Sequence, residues 1–248
     1  MRKIMNVAMR AIMCAGVLMS LLMLGGCEDL KYVREDGYVL YWRKAAPEVV
    51  YKRPDNLSTF TPAIKILFWG KEPEYTATYA RSRATYEQLC AKWGDTDFRG
   101  TRKILADHPA YEYTATDLGF RAIDVSISKD VSRGGVTYPA GTSLAEVAQL
   151  TFTTLRRYIA NGYKTLPDAD YSAILEIDDR MTLYGYERVS KLFTEITPED
   201  MNLVGPYAMI TWLSKTSVPL SYDITVTLTD ENGKVYECTT HVDPYNLQ

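Results

Sequence analysis

Between Tyr222 and Val242 the chain alternates apolar and polar residues around an Asn-Gly pair, which leaves little choice of local structure. Tyr222, Ile224, Val226 and Leu228 fall on one side of an extended segment, and Asp223, Thr225, Thr227 and Thr229 on the other. Successive side chains of a strand point to opposite faces, so a period of two predicts a sheet with one buried and one wet face. Asp230-Glu231-Asn232-Gly233 supplies the reversal, because Asn and Gly accept the positive φ of a tight hairpin turn. Val235 to Val242 returns, with Tyr236, Cys238, Thr240 and Val242 on one face.

The same reasoning upstream predicts further short strands: Tyr38–Trp42, Ala63–Trp69, Glu74–Arg81, Gly119–Ser128, Ser172–Ile177, Met181–Tyr184 and Tyr207–Leu213. Tyr86, Leu89, Cys90 and Trp93 are spaced as one face of a short helix, with Gly94 as its stop. Ser143 and Glu146 have capping-box spacing, which predicts helix over 144–150. Over 151–160 the helical spacing of Phe152, Leu155 and Ile159 competes with the strand preference of Thr151, Thr153 and Thr154. Thr197-Pro198-Glu199-Asp200 signals a helix start, with Pro in the first turn. The expected fold is mainly β with minor helices, its C-terminal half an antiparallel β-sandwich. The organisation read from these elements is 1–26 as a leader, 27–62 as a tether and irregular lead-in, 63–118 as a mixed α/β segment, and 119–248 as the sandwich.

The leader follows from charge and length. Arg2, Lys3 and Arg10 are the only charges before Cys27, and Ala11 to Leu24 is an almost continuous apolar run. A membrane-spanning helix needs about 20 apolar residues, so this run suits a signal-peptide core better than a permanent span. Leu24-Gly25-Gly26-Cys27 then resembles a bacterial lipobox, which implies cleavage before Cys27 and lipid on its thiol and new amine. One acyl chain binds a membrane only marginally and stable anchoring takes about two such signals; the triacylated cysteine that the resemblance implies exceeds that. Glu28 and Asp29 resemble the acidic export signals of surface lipoproteins in Gram-negative gut anaerobes. Outer-membrane attachment is the expected location, facing either the periplasm or the cell surface.

Charge and cysteine content narrow the function classes. Loss of residues 1–26 removes three cations and takes 28 basic against 31 acidic residues to 25 against 31. With no basic block, this argues against nucleic acid as a partner. Cys90 and Cys238 are the cysteines left besides Cys27; they can pair in an oxidising compartment or serve as small buried hydrophobes. No CxxC or Cys/His cluster is present, and no cofactor is expected.

Asp168, Asp170 and Asp179 have the spacing of a calcium loop, but Ala173 stands where the sharp turn needs Gly, and Asp179 stands where a bidentate Glu is usual. They remain a weak metal candidate beside a plain solvated loop. The two histidines, His108 and His241, fall in no Gly-x-Ser-x-Gly elbow or other linear nucleophile motif, so no catalytic residues are expected.

The lipobox, the Tyr138–Leu144 segment and the 224–234 hairpin together resemble small gut-anaerobe outer-membrane lipoproteins of unknown function. That resemblance implies an immunoglobulin-like or transthyretin-like sandwich and no catalytic residues. The leading expectation is a non-catalytic envelope lipoprotein that binds a protein partner or joins an assembly. The alternative is a surface glycan binder of a polysaccharide-uptake system, for which Trp42, Trp69 and Trp212 are the candidate stacking residues; core packing is the competing role of each.

Overall fold

The computed structural model of the protein describes residues 31–33, 37–52, 63–77, 80–100, 102–104, 113–170 and 185–243. Cys27, His108, Asp179 and the strands expected over 172–177 and 181–184 lie outside the described residues. In chain order the strands are β1 (Lys31–Val33), β2 (Tyr41–Lys52), β3 (Ala63–Tyr75), β4 (Arg102–Ile104), β5 (Thr114–Thr116), β6 (Phe120–Ile127), β7 (Val131–Arg133) and β8 (Val136–Tyr138). They continue with β9 (Ala148–Thr154), β10 (Glu187–Leu192), β11 (Val204–Trp212), β12 (Thr216–Ser217), β13 (Tyr222–Asp230) and β14 (Val235–Val242). Among the described residues two helices interrupt them, α1 (Arg83–Trp93) and α2 (Arg156–Ala160). The chain divides into two units. In the smaller, Met1–Arg34 with Gly100–Pro109, β1 and β4 pair antiparallel. The larger, Glu35–Arg99 with Ala110–Gln248, is described below.

The C-terminal hairpin forms in the expected register, Tyr222 opposite Val242 and Leu228 opposite Tyr236. β6 joins the other side of β13 to complete a three-stranded sheet, β14-β13-β6. A bulge at Arg121 shifts the β6 register, pairing Thr229 with Ala122 but Asp230 with Phe120. An extra residue reverses which face a side chain takes. Phe120 therefore turns inward with Val125 and Ile127 although its parity is opposite.

The facing layer is a six-stranded sheet in the order β10-β9-β11-β3-β2-β5, antiparallel except for the β2–β5 pair. Ile64, Ile66 and Phe68 of β3, Leu150 and Phe152 of β9, and Ala208 and Ile210 of β11 share one core with Ile224, Val226 and Leu228 of β13. The protein is thus mainly β, an antiparallel sandwich of two sheets packed through their apolar faces. The sandwich is not confined to 119–248, because β2 and β3 supply two of the inner strands. Pro47 is tolerated inside β2 because it sits in a bulge between Ala45 and Glu48, where the ladder does not need its missing N–H.

Three local expectations differ from the structure. Residues 144–150 form a single hydrogen-bonded turn, Leu144 O to Val147 N and Ala148 N, and then enter β9. Two neighbouring strands pair with β9, and that ladder together with the β-branched threonines overrides the capping-box signal. The Ser143 hydroxyl accepts Ala145 N at 3.3 Å and donates to Asp124 Oδ1 at 2.6 Å, but no helix follows. Thr197–Met201 likewise makes one turn rather than a helix. Residues 63–75 form one strand, with an irregularity opposite β2, where two were expected. The helix over Tyr86–Trp93 is present, closed by Gly94 at φ +70°.

Candidate functional site

β10 is an edge strand of the six-stranded sheet, and α2 follows directly from the neighbouring strand β9. Between them lies a cleft of about 380 Å³ lined by Arg156 and Arg157 of α2, Glu187, Arg188 and Lys191 of β10, and Asp200 of the following turn. The local fold places each group. The Thr154 hydroxyl donates to Asn202 O at 2.6 Å and accepts Arg156 N at 3.1 Å, turning the chain from β9 into α2. Glu187 stands opposite Thr154 in the β9–β10 register, which brings it beside Arg157. The Arg157 guanidinium forks, with Nη1 donating to Glu187 Oε1 at 2.6 Å and Nη2 to Asp168 Oδ2 at 2.7 Å. Lys191 Nζ reaches Asp200 Oδ2 at 2.7 Å.

These bonds shift the acids that accept them. The Arg157 hydrogen bond holds the Asp168 carboxyl below its ordinary range. For Asp200, partial burial pushes upward, but bonds from Lys191 and from the Thr197 N–H and hydroxyl outweigh it, and the carboxyl ends below its ordinary range. Glu187 is different. It is 7% exposed, and although Arg157 holds Oε1, Oε2 is buried with no hydrogen-bond partner. The Arg156 guanidinium is half-buried and makes no ion pair or hydrogen bond with the described residues. Among the described residues four cations line the cleft against two acids, on a protein whose total charge is negative.

The residues proposed from sequence fall elsewhere or take other roles. Asp168 is engaged by Arg157, and Asp170 offers its backbone carbonyl to Arg188 N at 2.6 Å. No group of three metal-ligating side chains occurs among the described residues. Cys90 and Cys238 are not brought together as a disulfide; both are free thiols. Cys90 is buried on α1, and the Cys238 thiol donates to Pro47 O at 3.0 Å, its pKa raised by burial and by Glu48 and Glu237.

Trp42 is fully buried. Trp69 and Trp212 pack against the core at different ends of the sheet. Tyr207 pairs with Leu67, so Trp69 stands level with residue 205 of β11, about 23 Å along that strand from Trp212 at roughly 3.3 Å per residue. The three tryptophans therefore share no exposed face.

The hairpin brings together a trio with no linear signature. His241 lies opposite Asp223, with Nδ1 to Oδ1 at 2.6 Å, and its Nε2 is 3.3 Å from Ser221 Oγ. The hairpin register alone would have paired His241 with Asp223. The order resembles a nucleophile, base and orienting acid. However, the His241 and Asp223 side chains are 57% and 53% exposed. A cross-strand pair this open to water is worth about 0.2–1 kcal/mol and polarises its serine weakly. We read it as a surface contact of the sheet.

Fold and site together define a β-sandwich with a charged cleft at its sheet edge. No family model, curated protein or solved structure matches the chain.

Proposed function

We propose that this protein is a lipid-anchored, extracytoplasmic, non-catalytic binding component of the bacterial cell envelope, and that it takes its ligand in the cleft between β10 and α2. The observation that carries the binding reading is the pair of uncommitted groups in that cleft: the buried Glu187 Oε2 and the Arg156 guanidinium. Buried polar atoms are nearly always paired, so an unsatisfied acceptor lining a cleft supports occupation by a donor from outside the chain. The anchor rests on the Leu24–Cys27 motif and the apolar run before it. Lipid at Cys27 would hold the sandwich at a membrane surface.

Radiolabelled palmitate in a Gram-negative host tests the anchor. Wild-type protein should incorporate label and fractionate with membranes. Cys27→Ala should remain an unlabelled precursor, heavier by the 26 leader residues. A mature wild-type N-terminus without lipid would refute the anchor.

A further inference from the structure

We propose that the cleft between β10 and α2 binds a small zwitterion, a free α-amino acid with a short side chain, whose ammonium meets Glu187 and whose carboxylate meets Arg156. This rests on the binding reading above and names the class of ligand. The argument is by elimination among the lining groups. Arg157 is engaged by two carboxylates, Arg188 has a partner of its own, Lys191 is engaged by Asp200, the Ser190 hydroxyl bonds Thr151, and the Thr154 hydroxyl is used by Asn202 O and Arg156 N. That leaves the Arg156 guanidinium and the second carboxylate oxygen of Glu187. Glu187 Oε2 is a buried anionic acceptor that requires a donor. Arg156 presents a planar set of N–H donors that matches a carboxylate edge.

A simple anion satisfies Arg156 but brings like charge towards Glu187. A simple cation does the reverse. A ligand carrying both charges satisfies both poles without leaving either desolvated and unpaired. A neutral sugar offers Arg156 no charge, and no aromatic side chain lines the cleft among the described residues to stack a sugar ring. Val189 is the one aliphatic side chain among the described lining residues, which offer little apolar surface for a long side chain. At about 380 Å³ it has room for glycine, alanine or serine with some water.

The test is calorimetric titration of the full-length protein in detergent with L-alanine, acetate, methylammonium and glucose. Alanine should bind saturably, and each of the other three at least tenfold more weakly. Arg156→Gln and Glu187→Gln should each weaken alanine binding at least tenfold. Thr225→Ala, on the far face of the other sheet, should leave it unchanged. Circular dichroism checks folding; should Glu187→Gln not fold, Arg156→Gln decides, because that side chain supports no other group. Acetate or glucose binding as tightly as alanine, lost in Arg156→Gln, would overturn the zwitterion and leave the cleft as a binding site. Alanine binding that Arg156→Gln does not alter would overturn the location. No binding of any of the four would overturn both this assignment and the cleft as a small-ligand site.

Discussion

Asp95 should be among the most costly single side chains to remove from this protein, although it lies in no strand or helix. It is fully buried immediately after α1. Its two carboxylate oxygens accept the backbone N–H groups of Tyr38 at 2.6 Å and Val39 at 2.8 Å, both themselves buried. The Tyr38 ring is the hub of a cluster with Phe98, Tyr113, Tyr158 and Tyr163, at centroid distances of 4.8–6.1 Å. Asp95 thus ties residues 38–39, just ahead of β2, to the end of α1.

Hydrogen bonds to a charged group are worth about 1.5–3 kcal/mol each, and truncation leaves the two buried donors unsatisfied. Asp95→Ala should therefore cost on the order of 3–6 kcal/mol, a large part of a typical domain stability of about 5–15. Asp95→Asn keeps one oxygen but turns an N–H₂ towards the second donor, so it should lose at least half as much. Tyr163→Phe should lose about 1–2 kcal/mol, because it removes the hydroxyl's bonds to the Asp97 N–H and to the Asp95 carboxylate; burial and the nearby Asp95 charge keep that hydroxyl protonated. Urea titrations followed by circular dichroism, with m-values compared among variants, give the differences. An Asp95→Ala variant within 1 kcal/mol of wild type would refute the claim that these two bonds hold the junction.

Leu228 is completely buried at the centre of the core, and Thr227 beside it faces the outer surface. Leu228→Asp should abolish folding, whereas Thr227→Asp should cost less than about 1 kcal/mol; equal effects in a thermal melt would remove the assignment of faces. Asp168 and Asp200 titrate below their ordinary 3.8, so the stability they contribute is present above about pH 4 and lost as pH falls through their lowered values. Carboxyl carbon shifts should show both midpoints below 3.8, and Arg157→Ala should return that of Asp168 upward while leaving Asp200 in place.

The fold was legible where one physical signal stood unopposed. The β13–β14 hairpin combined strict alternation with an Asn-Gly turn, and its register and buried face follow from those two features alone. α1 was legible because its apolar spacing ends at a glycine. Signals failed where the chain's partner decides the outcome. Ser143 and Glu146 have the spacing of a helix start, yet the following residues are Thr-rich and are claimed by strands on both sides. The inward turn of Phe120 depends on a bulge opposite Asp230, more than a hundred residues away, and no local pattern announces it. Pro47 has the same origin: it reads as a break in a lead-in, yet the bulge absorbs it and the strand runs through.

The cleft was illegible for a reason that concerns sheet edges. Along an inner strand, neighbouring residues serve opposite faces, so a period of two sorts them into core and surface. Among the described residues β10 has a strand on one side only, and the cleft lies between it and α2. Glu187 and Arg188 are adjacent in sequence yet both line it, as do Ser190 and Lys191. At an edge the distinction of faces gives way, and a pattern reading assigns such residues to solvent. The remaining members come from α2 and from the turn at Asp200, with Asp168 reaching Arg157 from a separate loop. Asp168 is the clearest case, because its acidic neighbours suggested a cation site while its own carboxylate is held by an arginine. The group that matters most, Glu187, has no sequence signature; it is marked out only by being buried with one oxygen unpaired. Burial of a charge without a full set of partners is a property of the folded chain. At Glu187 Oε2 the chain's own bonding is incomplete, and that is the bond the proposed ligand would complete.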